Sequence, residues 1–238
     1  VPSLIFIFYG MGFDDSIVIV LAIGTSLASI FFSAVSSALS HHHKSSVEWS
    51  LVIPLSIGMI IGAVIGAEYA SSLTSYTLKW IVTIFLFIIG LEMIMELTQK
   101  LANSGKGFLS LAKYTLPVHG SWIGLLSSMI GIGGGSFTTP LLIAGGYNIR
   151  KGIGTAAACG VPIAAAGSVS YIYFGQTNIN LPIGTIGYVF WPAVLYISLA
   201  SIFTANLGAR ISHSISEKNL KISFGIFLII VGIMVITS

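Results

Sequence analysis

Gly131-Ile132-Gly133-Gly134-Gly135-Ser136-Phe137-Thr138-Thr139-Pro140 lies between two apolar stretches, with no charged residue between Lys113 and Arg150. In a soluble protein, four glycines followed by Ser and Thr would suggest a phosphate-cradling turn. The Lys-Ser/Thr ending of such a loop is missing and no strand precedes it, so that reading is set aside. The flanks, residues 122–130 and 140–144, have membrane character instead. At membrane depth a helix can break only where its freed N–H and C=O groups meet protein or a water-filled cavity. Helices interrupted in this way point to transport sites.

Composition agrees with a membrane setting. Of 238 residues, 55 % are hydrophobic and only 7 % charged, and mean hydropathy is +0.99. Soluble domains carry roughly 25 % charged residues, so the chain reads as a multi-span membrane protein. Its net charge of +3 comes from scattered basic residues and offers no patch for nucleic acid. A single cysteine, Cys159, excludes an internal disulfide and a Cys-rich metal site, and no cofactor is expected. No Ser/His/Asp set, His-Glu-x-x-His motif or pair of deep carboxylates suggests an enzyme.

About 20 apolar residues cross the hydrocarbon core as a helix. Apolar segments fall at 1–10, 16–40, 49–72, 76–98, 108–130, 135–147, 152–174, 184–210 and 219–237. The sixth would rise only ~20 Å and cannot span alone. The halves resemble each other. Val1-Pro2-Ser3-Leu4 matches Thr139-Pro140-Leu141-Leu142, and Gly24-Thr25-Ser26-Leu27 matches Gly154-Thr155-Ala156-Ala157. Gly66-Ala67, Leu78-Lys79 and Gly90 match Gly208-Ala209, Leu220-Lys221 and Gly232. The first half lacks partners for segment 108–130 and for the glycine run, so a helix and a glycine turn are expected ahead of Val1.

Threading the segments alternately puts Lys44, Lys100, Lys106, Lys113, Arg150, Lys151, Arg210, Lys218 and Lys221 on one side and only Lys79 on the other. The basic side is therefore read as cytoplasmic and the C-terminus as outside. The repeats then have opposite orientations, as in many secondary transporters that build a site at the repeat interface. The expected fold is an all-α polytopic membrane protein of two inverted repeats, with four to five helical segments each and glycine-broken or re-entrant hairpins. The first repeat covers 1–98, a cytoplasmic linker 99–107 and the second repeat 108–238.

Gly-Ile-Gly-Gly-Gly-Ser followed by Thr-Pro-Leu-Leu, with Gly154-Thr155 some fifteen residues later, resembles the second half of the TauE/SafE sulfite exporter family. Val1-Pro2, Gly24-Thr25-Ser26-Leu27, His41 and Val47-Glu48-Trp49 resemble its first half. The resemblance covers essentially the whole chain. Ser45 stands where the family usually has glycine, which Gly175 keeps in the second repeat, and Ala156 and Ala157 replace a Ser-containing run. The resemblance implies secondary transport, by export or sometimes uptake, of small anions such as sulfite, thiosulfate or organosulfonates.

An oxyanion needs donors, and a helix start offers unpaired N–H groups with partial positive charge. Ser136 is expected to cap a helix beginning near Phe137, with Thr138 and Thr139 in its first turn. Pro140 is tolerated there, and Gly133, Gly134 and Gly135 let backbone approach the anion. Thr25, Ser26, Gly154 and Thr155 are expected at the same cavity. His119, Glu92 and Cys159 are candidates for proton coupling or for lining it, against the plainer readings of a hydrogen-bonded histidine, an interfacial carboxylate solvated on one helix face with Glu96, and a packed thiol. Expected partners are the anion, the bilayer, protons as coupling ion and a second copy of the chain. A passive anion channel could use the same glycine-lined constriction.

Other features read as structural. Gly58, Gly62 and Gly66, spaced by four, suit close helix packing. His41-His42-His43 read as a solvated cytoplasmic loop, Glu68 and Arg210 as end anchors, and Tyr171, Tyr173 and Trp191 as an outer aromatic belt.

Overall fold

The computed structural model describes residues 1–95, 114–201 and 217–237. The expected linker 99–107, Glu96 and Arg210 lie outside the described residues. Within them the chain is mostly helical: α1 (Pro2–Gly10), α2 (Val18–His43), α3 (Trp49–Ser72), α4 (Ser75–Met95), α5 (Leu116–Ile130), α6 (Gly135–Ala144), α7 (Ile149–Gly175), α8 (Trp191–Ser201) and α9 (Glu217–Thr237). Four of these, α2, α3, α4 and α7 from Arg150 onward, are long and apolar enough to cross a membrane.

Segment 184–210 departs from its expected helix. Its start is a hairpin, β1 (Thr185–Ile186) against β2 (Val189–Phe190), pairing Thr185 with Phe190 and Ile186 with Val189. Gly184 and Gly187 have φ of +94° and +55°, conformations that no right-handed helix accepts. The helix begins only at Trp191. His41-His42-His43 also differ from expectation, for they form the last turn of α2 rather than a loop. A Schellman closure follows: the N–H of Ser45 donates to the His42 carbonyl and that of Ser46 to His41, at 2.9 and 3.0 Å. Ser45 takes the left-handed φ of +52° that this closure demands. Gly175 does not share that conformation. It ends α7, and a Cβ there would strike Gly187 and the Tyr188 N–H.

α2 and α7 form the centre and run antiparallel. A Cβ at Gly160 would sit 3.6 Å from that of Ala34, one at Gly167 would sit 2.8 Å from Leu27 Cδ1, and one at Gly24 3.0 Å from Tyr171 Cβ. Numbers thus fall along one helix as they rise along the other. α3 and α5 run parallel, with Gly58 on Pro117, Gly62 on Ser121 and Gly66 on Leu125 so closely that no Cβ fits. Gly120 and Gly124 return the arrangement against Leu55 and Met59. Five glycines therefore bring two backbones together, as small residues do between helices in lipid. α4 packs on α9, where Gly90 and Gly225 face each other.

Two apolar cores result among the described residues. One joins α1, α2, α4 and the hairpin, and the other joins α3, α5 and α7 around Leu55, Met59 and Cys159. The outer face of α3 leaves Ile53, Ile57, Ile61 and Ile65 exposed, a stripe suited to lipid. Tyr173 is exposed like a belt residue, but Tyr171 is not. It is fully buried, because its hydroxyl is needed inside to donate to the Ser128 carbonyl at 3.0 Å.

Candidate functional site

α5 stops at Ile130 because Gly131 turns left-handed, with φ of +73°. A helix end buried in protein leaves carbonyls without water, and two side chains answer that need. Tyr171 serves Ser128, and the Ser26 hydroxyl donates to the Gly131 carbonyl at 3.0 Å. Gly131 also packs against Ile23 of α2 and against Val1, so the start of α1 stands beside the break.

The next helix starts earlier than expected. α6 begins at Gly135 with Gly134 as its cap, so Ser136 lies inside the first turn and makes no capping bond. The first-turn acceptor is instead the Gly134 carbonyl, which takes the Thr138 hydroxyl at 2.7 Å. Gly134 caps the helix with a φ of −57° and a ψ of −4°, and no side-chain cap bond closes the turn. Gly133 faces Ile30 of α2, and Gly134 faces Ile163 of α7. Ile30 and Ile163 stand near the midpoints of their helices, so the break is level with the middle of the central pair.

A cleft of about 440 Å³ opens there. Gly133, Gly135 and Ser136 form one wall, Ile30, Ser33, Ala34 and Ser37 of α2 a second, and Ala156, Ala157 and Gly160 of α7 a third. Among the described residues its lining has three side-chain hydroxyls and no charged side chain. Ser33 donates to the Ile30 carbonyl at 3.0 Å, while Ser37 and Ser136 are exposed to the opening. Ser33 and Ser37 were missed from sequence. Their signal is a serine stripe at 26, 29, 33 and 37 that follows one face of an otherwise apolar helix.

The remaining candidates sit elsewhere. Thr138 is buried beneath the first turn of α6, and Thr139 is partly buried beside it. Thr25 and Thr155 are fully buried, each accepting a backbone N–H at 3.0 Å, from Phe190 and Glu48 respectively. Gly154 lies so close to the Ser46 carbonyl that a Cβ would not fit. Cys159 is fully buried in the α3–α5–α7 core. His119, in the first turn of α5, and Glu92, on α4, are partly buried and do not border the cleft.

Beyond the cleft toward the start of α7, Lys151 Nζ meets Glu48 Oε2 at 2.8 Å, and the Ser50 hydroxyl donates to the other carboxylate oxygen. Lys151 first, and Ser50 second, hold the Glu48 carboxyl below its ordinary range. At the other end of α2, Phe190 stacks edge-on against Phe8 and Phe13 at 5.6 and 5.5 Å.

A cleft that sets three serine hydroxyls among apolar residues, level with the midpoints of helices long enough to cross a bilayer, suits a membrane transporter. The chain belongs to the sulfite exporter TauE/SafE family, whose pattern it matches over residues 1–235. It is similar to a probable membrane transporter protein of Haemophilus influenzae, 31 % identical over 233 residues, covering 98 % of this chain and 87 % of that one. A probable membrane transporter protein of Methanocaldococcus jannaschii is 27 % identical over 237 residues, with coverage of 99 % and 85 %. The Bacillus subtilis probable membrane transporter protein YdhB is 26 % identical over 217 residues, with coverage of 90 % and 84 %. No solved structure matches the chain.

Proposed function

We propose that the chain is a secondary carrier that exports small sulfur-containing anions, such as sulfite, thiosulfate or an organosulfonate, across the cell membrane by alternating access. The observation that carries this reading is the glycine break opening on a serine-bearing cleft level with the midpoints of α2 and α7. N–H groups at the start of α6, together with the hydroxyls of Ser33, Ser37 and Ser136, supply donors to oxyanion oxygens. Each helix-terminus contribution is modest, about 0.3–2 kcal/mol, which suits a carrier that must let go.

Inverted repeats account for the antiparallel course of α2 and α7, the helices that carry the matching Gly-Thr pairs. In this reading α5 and α6 form a hairpin that enters from the basic side and turns back at the glycines. The basic loops are cytoplasmic and the C-terminus is outside.

Gly135 provides the test. A Cβ there meets nothing within 4 Å, and its φ is not in the left-handed region, so a side chain points into the cleft rather than into protein. Gly135→Leu is expected to fold with unchanged thermal stability and to abolish saturable sulfite uptake into proteoliposomes. Full flux in that variant would remove the cleft from the pathway. Gly134→Leu is a poorer choice, since its side chain would strike Ile163.

A further inference from the structure

Thr25 and Thr155 occupy matching places in the two halves, and what they hold also matches. On α2, Gly24 leaves room for the Tyr188 carbonyl and Thr25 accepts the N–H of Phe190. On α7, Gly154 leaves room for the Ser46 carbonyl and Thr155 accepts the N–H of Glu48. Each received segment is extended, has a buried valine at its centre (Val47 or Val189) and ends at the tryptophan that starts the next helix, Trp49 or Trp191. Each segment comes from one half of the chain and docks on the core helix of the other. The exchange is reciprocal.

The two sites differ in what reinforces them. The Thr155 site has the Glu48–Lys151 ion pair and adjoins the cleft, whose α7 wall begins at Ala156. The Thr25 site is sealed by the Phe8, Phe13 and Phe190 rings, and the first cleft residue on its helix, Ile30, is more than a turn away. A threonine hydroxyl buried to 0 % exposure and engaged with backbone cannot greet a solute without first releasing that backbone.

We infer that Thr25 and Thr155 are a matched pair of positioning residues, each latching the extended segment of the opposite half against a core helix, and that transport releases the two latches in turn. This rests on the carrier reading above. Alternating access requires the cleft to open toward one face while the other is closed. Two equivalent clamps at opposite ends of an antiparallel helix pair supply such a device. Releasing one shifts the population toward the state open on that side.

The test uses the full chain in membrane vesicles of both orientations, with radiolabelled sulfite. A net backbone hydrogen bond is worth about fivefold in an equilibrium. Thr155→Val should therefore shift the apparent KM by about that factor in opposite directions for sulfite offered from the two faces, and Thr25→Val should give the mirror pattern. Thr→Ser at either site keeps the acceptor and should restore wild-type values. A change of the same sign from both faces, as simple loss of folded protein gives, overturns the inference.

A second arm needs no valine variant. Glu48→Cys with Lys151→Cys, joined by a cleavable bifunctional thiol reagent, should stop flux from both faces and recover on cleavage. Undiminished flux in the joined protein overturns the inference.

A third arm separates the latches from the substrate. Val47→Cys and Val189→Cys, each in a Cys159→Ala background without sulfite, are labelled by a membrane-impermeant maleimide. Thr155→Val should raise labelling at position 47 alone, and Thr25→Val at 189 alone. That pattern without saturable sulfite flux upholds the latches and removes the sulfur-anion reading. Saturable flux with labelling unmoved removes the latches alone.

Discussion

Ser45 carries a local strain that one substitution relieves. Its left-handed φ completes the closure of α2, and an L-residue there costs about 1–2 kcal/mol relative to glycine. Ser45→Gly is expected to raise thermal stability by about 1 kcal/mol, read as a higher melting midpoint in detergent, while Ser45→Val lowers it. Glu48 gives a pH signature. Its carboxyl titrates below the ordinary value of 4.5 because of Lys151, so its stabilisation is complete above that value and is lost as pH falls through the folded one. The midpoint advantage of wild type over Glu48→Gln should shrink as pH falls below the ordinary value of 4.5. Residue identity revealed less than residue pattern did. The Gly-Thr pairs stood out in the sequence, but their partners, Phe190 and Glu48, lie 165 and 107 residues away and no local spacing reports them. Ser136 looked like a cap because serine so often is one. Gly134, two residues earlier, took the place, and no side-chain cap bond closes that first turn.

Helices were legible from apolar length, and the four-residue glycine spacing in α3 announced a packing face that the structure shows pressed on α5. Gly62→Leu should be severely destabilising, by 3 kcal/mol or so at least, since its side chain would enter the Ser121 carbonyl. The check is loss of a monodisperse peak on size exclusion, with Gly135→Leu as the folded control. What misled was apolarity without periodicity. Residues 184–190 are as apolar as a span, yet Pro182, Gly184, Gly187 and Pro192 punctuate them, and those breakers outweigh hydropathy. The hairpin they form docks on α2 through the clamp at Gly24 and Thr25. Tyr171 was placed in the belt for a similar reason. An aromatic near a helix end suits the interface, but the orphan carbonyl at the end of α5 needed a donor more. Tyr171→Phe should cost about 1 kcal/mol, seen as a lower melting midpoint with the fold retained.

Over the whole molecule, the antiparallel central pair is the feature from which the rest can be checked. Ala34→Cys with Gly160→Cys places two Cβ atoms about 3.6 Å apart, within the span of a disulfide. In a Cys159→Ala background this pair should close on mild oxidation, shown by a gel shift, whereas Ala34→Cys with Gly167→Cys should not. The two Gly-Thr pairs were readable as short motifs, whereas the bonds of Thr25 to Phe190 and of Thr155 to Glu48 were not, because they join segments far apart in sequence. Among the described residues the cleft has no charged lining side chain, and for the anion carrier proposed above that has an electrical consequence. A singly charged solute crossing without a countercharge from the protein moves one net charge per cycle, unless an accompanying ion cancels it. Each such charge exchanges about 2.3 kcal/mol with the field for every 100 mV. In a cell negative inside, resting voltage alone then drives the anion outward, and a positive-inside vesicle would run the same protein in reverse.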